Sequence, residues 1–290
     1  MTLQKGRLIE ERLREFLERE LGPFEAVRFC GWDHAESNVW EVIADDTRYY
    51  LKKHKQPRKF RQEVYAYQHW APSLNNVPKL IASCERPHAL LISAVPGVLV
   101  QETALTKRQE RKVYRRAGAL LRRLHDLPFE DTDALPLADA LRKRSTAWTR
   151  RAQGTVEEAL IGWVRRRLEA AAVQIAQSRW TRTPCHRDYI PRNWLLDEET
   201  LHLIDFEHSK PDLWLTDLEK LYWDVWLQRP ELKVAFLEGY GRTLSEEEER
   251  VLRGLAVHNV FVSIVWATEH RDETFERRGR EVLAQLRQMQ

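Results

Sequence analysis

Between residues 107 and 127 apolar side chains return every three or four positions, at Val113, Ala117, Leu120, Leu121, Leu124 and Leu127, with basic and polar residues between them. That period lines one face of an α-helix. Thr106 with Gln109 three residues on is a capping-box start, and Pro128 ends the run. The same logic predicts a helix over 60–70 and another over 8–21, where Leu8, Ile9, Leu13, Phe16, Leu17 and Leu21 share a face before Gly22-Pro23. In the last third it predicts helices over 218–226, 231–240, 246–266 and 275–289. Shorter β-rich runs at 27–31, 39–43 and 48–52, separated by turn-forming polar residues, predict three antiparallel strands. Residues 89–93 read as a buried strand stopped by Pro96-Gly97. Residues 194–196 and 201–204 read as a hairpin about the polar turn Asp197-Glu198-Glu199-Thr200. Strands gathered in the first third and helices after them make this an α+β chain.

Composition narrows the class. With 290 residues and 43% hydrophobic content the chain can bury a large core. Three scattered cysteines, Cys30, Cys84 and Cys185, form neither a disulfide framework nor a zinc pattern, so a reducing cytoplasm is expected. The N-terminus, with Glu10, Glu11 and nearby arginines, lacks the apolar core of a signal peptide, and no stretch is expected to span a membrane. The clusters Arg142-Lys143-Arg144, Arg150-Arg151 and Arg165-Arg166-Arg167 read as a solvated helix face, with an anionic partner as the alternative.

The chemistry is concentrated between His186 and Glu207. The hairpin at 194–204 folds Asn193 and Asp205 back beside each other. An amide oxygen and a carboxylate are hard ligands suited to Mg²⁺, which takes one or two protein groups and completes its shell with water and nucleotide phosphates. Asp188, five residues before Asn193, opens the same loop, where a carboxylate can accept a hydrogen bond from an attacking hydroxyl and orient it. Phosphoryl transfer through a loose transition state needs positioning more than base strength, so an ordinary carboxylate suffices. Taken singly, Asp188 and Asn193 are turn residues around Pro191, and Asp205 ends a strand. The joint spacing H-x-D-x-x-x-x-N, strand, turn, strand, D favours the phosphoryl-transfer reading.

With this loop and the segment Ile204-Asp205-Phe206-Glu207, most of the chain resembles the aminoglycoside phosphotransferase and choline kinase group, small-molecule relatives of the protein kinases. The resemblance implies a protein-kinase-like two-lobed fold, with an N-lobe of antiparallel sheet and helices over 1–93, a hinge at 94–97 and a mainly helical C-lobe over 98–290. It makes Asp188 the catalytic aspartate and Asn193 and Asp205 the metal ligands. His186 then braces the loop, and Asp217 supports it from behind or caps the following helix. It implies ATP, or GTP, with Mg²⁺ as cofactors. The connection 31–38 takes the place of a phosphate-covering loop, with Ser37 and Asn38 its closest match, although it is glycine-poor and equally a plain hairpin loop. Ser93, Ala94 and Val95 are nominated for adenine. In strand 48–52 a lysine should pair with the phosphates and with Glu63; alternation sends Lys52 and Lys53 to opposite faces without choosing between them, and family position favours Lys52.

After Asp205 there is no room for the long activation segment of a protein kinase, so a small diffusible hydroxyl acceptor is expected. Its pocket draws candidates from Tyr222, Trp223, Trp226, Trp266, Glu269, His270 and Asp272, all of which equally suit a helical core. Glu207 reads as a ligand to a second metal, an acceptor contact or a salt-bridge partner, and His125 as core or cap. A kinase for polycations would be expected to be acidic, whereas this chain carries +3, which favours a neutral or less cationic acceptor such as a nucleoside, macrolide or sugar-containing metabolite. Local acidity at Asp212, Asp217, Glu219 and Asp224 keeps an amine open, and a choline-like acceptor would need an aromatic cage. The other classes weighed are a catalytically silent kinase fold and a nucleic-acid binder, the latter not expected and marked by steep salt dependence.

Overall fold

The computed structural model describes residues 9–31 and 37–289. In chain order the elements are α1 (Glu11–Leu21), β1 (Ala26–Phe29), β2 (Ser37–Ala44), β3 (Thr47–His54), α2 (Pro57–His69), β4 (Leu80–Cys84), β5 (Ala89–Ser93), β6 (Val98–Leu99), α3 (Lys107–His125), α4 (Leu137–Ala152), α5 (Glu158–Gln177), β7 (Arg182–Cys185), β8 (Trp194–Asp197), β9 (Thr200–Leu203), β10 (Lys210–Leu213), α6 (Glu219–Leu221), α7 (Pro230–Tyr240), α8 (Glu246–His270) and α9 (Glu273–Gln288). Leu8 of the first helical stripe and residues 32–36 of the expected phosphate-covering loop lie outside the described residues.

Two compact units divide the chain, one running to Thr103 and including Pro191–Lys210, the other Ala104–Ile190 with Pro211–Gln290. This differs from the expected boundaries at 93 and 97 because the β8–β9 hairpin joins the first unit. β6 pairs with β8 through Val98↔Leu196 and Leu99↔Leu195, while Asn76 donates to Leu201 O at 2.9 Å and accepts from Leu203 N at 2.9 Å. Gly97 makes the approach possible: its φ is +109°, and a Cβ there would lie 2.6 Å from Leu196 O.

The first unit is built on a five-stranded antiparallel sheet ordered β1-β2-β3-β5-β4. Leu13, Phe16 and Leu17 of α1 pack with Trp40, Val42, Leu51, Ala89 and Leu91 on one face. β3 therefore sends Leu51 toward α1 and its neighbour Lys52 to the opposite face. Lys53, on the α1 side, pairs with Glu10 at 2.6 Å. The choice between the two lysines is thus made by packing. β4 was not among the expected strands: it is a short edge strand, Leu-Ile-Ala-Ser-Cys, with its register to β5 shifted between Leu80 and Ala82.

The second unit is mainly helical. α3 starts with the expected capping box, Thr106 and Gln109 bonding each other's backbone. It crosses α7 at two glycines, where a Cβ on Gly118 would lie 1.9 Å from Phe236 O and one on Gly239 1.8 Å from Arg115 O. α4 and α5 carry the arginine clusters. The expected helix 218–226 is instead the short α6 followed by a π-helical turn at Tyr222–Trp226, closed by Leu227 N–H to Tyr222 O. α8 corrects the expectation that no stretch could span a membrane: it is long and apolar enough by length and composition. Its apolar side chains serve the core, 67% of that stretch being buried, with α5 and α9 packed against it.

Since Gly118 faces backbone atoms that cannot swing aside, Gly118→Ala should destabilise the protein by about 3 kcal/mol in chemical denaturation. Unchanged stability would show that α3 and α7 can separate without loss.

Candidate active site

In the first unit the opposite face of β3 carries the charged groups. Lys52 Nζ lies 3.0 Å from Glu63 Oε2, 2.5 Å from Asp205 Oδ1 and 3.1 Å from Glu207 Oε2. Glu63 comes from α2, and Asp205 and Glu207 from the turn after β9. His54, two residues along the same face of β3, approaches Glu63 Oε2 at 2.7 Å, and Ser37 Oγ donates to Glu207 Oε2 at 3.2 Å. Burial alone would lower the lysine pKa, but the Asp205, Glu63 and Glu207 charges outweigh it and hold the ammonium well above its ordinary value. Burial would likewise raise Glu63, yet Lys52 and His54 keep it lowered. Glu207 is also lowered, its burial overcome by His208 and Lys52.

Three carboxylates around one ammonium leave excess negative charge, and the donors are oxygens. That set fits Mg²⁺. Asp205 is the most accessible of the three, with its side chain 32% exposed against 0% for Glu63 and 10% for Glu207. Its backbone is left-handed, φ 68° and ψ 67°, which turns the chain sharply after β9. Phe206 anchors that turn against Tyr67 of α2, with ring centroids 5.4 Å apart. Asn193 is buried, and its carbonyl accepts from Ile204 N–H at 3.0 Å, so the hairpin does set it beside the residue preceding Asp205. Of the hinge residues, Ser93 spends its N–H and its hydroxyl on Lys79 and Ala94 spends its N–H on Arg48. Asn38 pairs with Lys53 in the sheet.

In the second unit the loop bearing Asp188 is held by Asp217. One carboxylate oxygen accepts from Arg187 N–H; the other accepts from His186 N–H at 3.0 Å and meets His125 Nε2 at 2.9 Å. His125 is fixed in turn by Tyr240 Oη at 2.8 Å from Nδ1. Asp217 therefore ties two consecutive amides of the loop to His125. His186 braces the loop through Nδ1, which lies 3.3 Å from Asp188 N. Arg187 sits at φ 64°, a left-handed conformation that the two amide bonds to Asp217 hold in place. Tyr189 Oη donates to Ala117 O at 2.7 Å, pinning the loop to α3.

One charged neighbour of Asp188 escaped sequence reasoning. Lys220 Nζ is 2.5 Å from Asp188 Oδ1. Its signal was position, three residues after Asp217 and so on the same side of a helical turn. Arg187 and Arg144 both bind Asp212, at 3.1 and 2.8 Å from Oδ2. Glu219 Oε1 accepts from Asn259 Nδ2 at 2.7 Å, and Asn259 Oδ1 from Trp223 Nε1 at 2.9 Å. Removal from solvent raises the Glu219 carboxyl to about 7 despite the nearby Arg144, Arg187 and Lys220.

The acceptor candidates divide. Trp223 joins the Asn259–Glu219 chain, while Tyr222 and Trp226 are buried, Trp226 against Phe236 at 5.4 Å. Trp266 stacks on His270 at 4.1 Å, Glu269 pairs with Arg151, and Asp272 accepts from Phe275 N–H at 3.0 Å as the cap of α9. Those four form a structural cluster at the α8–α9 junction.

A model of the phosphotransferase enzyme family matches residues 31–255, so the chain belongs to that family, and it is a small-molecule kinase. Among solved structures it is similar to the GDP and kanamycin complex of APH(2")-IIIa, with a TM-score of 0.74 and 13% identity over 96% of this chain and 99% of that one. It is similar to APH(4)-Ia, with a TM-score of 0.73 and 12% identity over 94% and 97%. It also resembles the streptomycin–ATP ternary complex of APH(2")-IIa, with a TM-score of 0.67 and 14% identity over 96% and 97%. At such identities these likenesses concern the protein-kinase-like fold. No curated protein matches the chain.

Lys52→Met leaves three carboxylates together without their cation, and should cost about 4 kcal/mol of stability by denaturant titration. A wild-type midpoint would mean the carboxylates need no cation. Glu219 predicts a pH effect. Its folded pKa lies above its ordinary 4.5, so its contribution to stability is complete below about pH 4.5 and is lost as pH rises through about 7. Glu219→Gln should flatten that decline in unfolding free energy, followed by denaturant titration across pH, by about 3 kcal/mol at most. An equally steep decline in the variant would assign it to other groups.

Proposed function

We propose that the protein transfers the γ-phosphate of ATP, in a Mg²⁺-dependent reaction of the antibiotic-kinase type, to a hydroxyl of a small molecule. The observation that carries this reading is the buried Lys52–Glu63 pair facing Asp205. A lysine ordered in this way is placed to donate to phosphate oxygens. Asn193 and Asp205 would hold the metal, with Glu207 near enough through Lys52 to add a further oxygen. Bound there, Mg²⁺ would neutralise phosphate charge as the bond to the leaving nucleotide lengthens. Asp188, on the loop fixed by Asp217, would accept the hydrogen bond of the acceptor hydroxyl and take its proton as the new P–O bond forms. Val95 would meet the base through backbone groups. The nucleotide complexes of the similar structures, with GDP, ADP and ATP, support a purine nucleotide donor and leave GTP as the alternative. We place the protein in the cytoplasm, the compartment that supplies ATP and keeps Cys30, Cys84 and Cys185 as thiols.

The test is a mass-spectrometric screen with Mg²⁺-ATP and Mg²⁺-GTP against aminoglycosides, macrolides, nucleoside antibiotics, choline and amino alcohols, scoring acceptors that gain one phosphate. Nucleotide binding without any phosphorylated acceptor would favour a silent kinase fold, and absence of nucleotide binding would overturn the proposal. For an acceptor so identified, Asp188→Ala should lower kcat by about 10³-fold while nucleotide affinity stays near wild type. Full turnover in that variant would remove Asp188 from the mechanism.

A further inference from the structure

The carboxylate at the centre of the proposed reaction is already paired with a protein cation. Asp188 is 1% exposed, and Lys220 Nζ stands 2.5 Å from its Oδ1. Lys220 is delivered by the same turn that holds the loop: Asp217 binds the amides of His186 and Arg187, and three residues later the ammonium reaches the side chain of the next residue in the loop. An acceptor hydroxyl bonded to one oxygen of Asp188 would bring any amine on a neighbouring carbon toward the other oxygen, where Lys220 stands.

The acidic groups that the sequence offered for such an amine have partners within the protein. Asp212 is bound by Arg144 and Arg187, Asp217 by His125 and two amides, Glu219 by Asn259, Asp224 by Arg278, and Glu269 by Arg151. The local acidity that kept a cationic acceptor open in the sequence is therefore committed to internal partners. A polycation would find Asp212, Asp224 and Glu269 already paired with guanidinium groups and would also have to approach Lys220.

We propose that Lys220 determines acceptor class, its ammonium occupying the place beside Asp188 that an acceptor amine would take, so that the acceptor is a neutral or anionic hydroxyl compound. This rests on the phosphotransferase reading above and deepens it. Lys220 acts by position and charge next to Asp188 and takes no part in bond making.

The experiment uses the full chain with Mg²⁺-ADP and two probes of the same skeleton, kanamycin and its fully N-acetylated, uncharged form, with affinities measured by calorimetry. Wild type should prefer the acetylated probe; equal or tighter binding of kanamycin overturns the proposal. Lys220→Gln, which keeps a donor to Asp188 but removes the charge, should gain kanamycin affinity by about tenfold or more, and Lys220→Arg should not. Equal kanamycin affinity in wild type and Lys220→Gln, at any level including none detectable, also overturns it. Mg²⁺-ADP binding is measured on the same samples. Loss of nucleotide binding by wild type counts against the phosphotransferase reading, whereas intact nucleotide binding with unchanged probe selectivity counts against Lys220 alone. A merely structural lysine would lower the affinities of both probes together.

Discussion

An ammonium in a protein interior must be matched by anions, and in the first unit Lys52 is matched by three: Glu63, Asp205 and Glu207. They come from α2 and from the turn after β9, so a single buried cation ties the central strand of the sheet to a helix and to the hairpin. Much of the local architecture follows from that requirement. β3 must alternate so that Leu51 enters the core with α1 while Lys52 faces the other way, and α2 must present Glu63 with no exposure to solvent. Asp205 accepts a left-handed backbone to bring its carboxylate round. The excess of anions over cations that results makes this cluster fit for a metal nucleotide as well as for structural cohesion.

The second unit solves a different problem, the immobilisation of an irregular loop. Asp217 does this with one carboxylate, shared between two consecutive amides and His125. Because His125 lies on α3 and its other nitrogen meets Tyr240 on α7, the loop is referred to the crossing of those helices, which Gly118 and Gly239 allow to be unusually close. Widening that crossing would loosen the His125–Tyr240 contact first and the loop next. The chain of dependence runs from two missing side chains, through two hydrogen-bonded rings, to the orientation of Asp188.

Where the sequence was legible, a local rule decided the outcome. The capping box at Thr106, the period of α3, the alternation of β3 and the hairpin between Asn193 and Asp205 each depend on residues within a few positions of one another. β4 was missed because Leu80–Cys84 is a short edge strand whose pairing is set by β5. Lys52 could be preferred to Lys53 only by family position, since the deciding fact is which face α1 covers. The membrane expectation failed at α8 because a helix surrounded by protein and one surrounded by lipid have the same composition. Candidate aromatics were chosen for chemistry that their packing does not express: Trp226 lies against Phe236, and Trp266 against His270. Lys220 and His54 went unnoticed although each is in register with a residue that was singled out, Lys220 one helical turn from Asp217 and His54 two strand positions from Lys52.

Net charge proved a coarse guide to the field near Asp188. The total of +3 hides a second unit in which guanidinium groups pair with Asp212, Asp224 and Glu269, while Asp217 and Glu219 are bonded to amides. A carboxylate paired with a guanidinium presents little net charge to a cationic ligand, whereas one bonded only to neutral donors keeps its charge. The relevant quantity is therefore the number of acids left uncommitted close to the reacting group. Lys220 sets an ammonium against Asp188, and Glu219, with its carboxyl raised to about 7, supplies only part of a negative charge near neutrality. The first unit keeps an excess of carboxylate around Lys52, whereas in the second an ammonium stands against Asp188 and guanidinium groups pair with Asp212, Asp224 and Glu269.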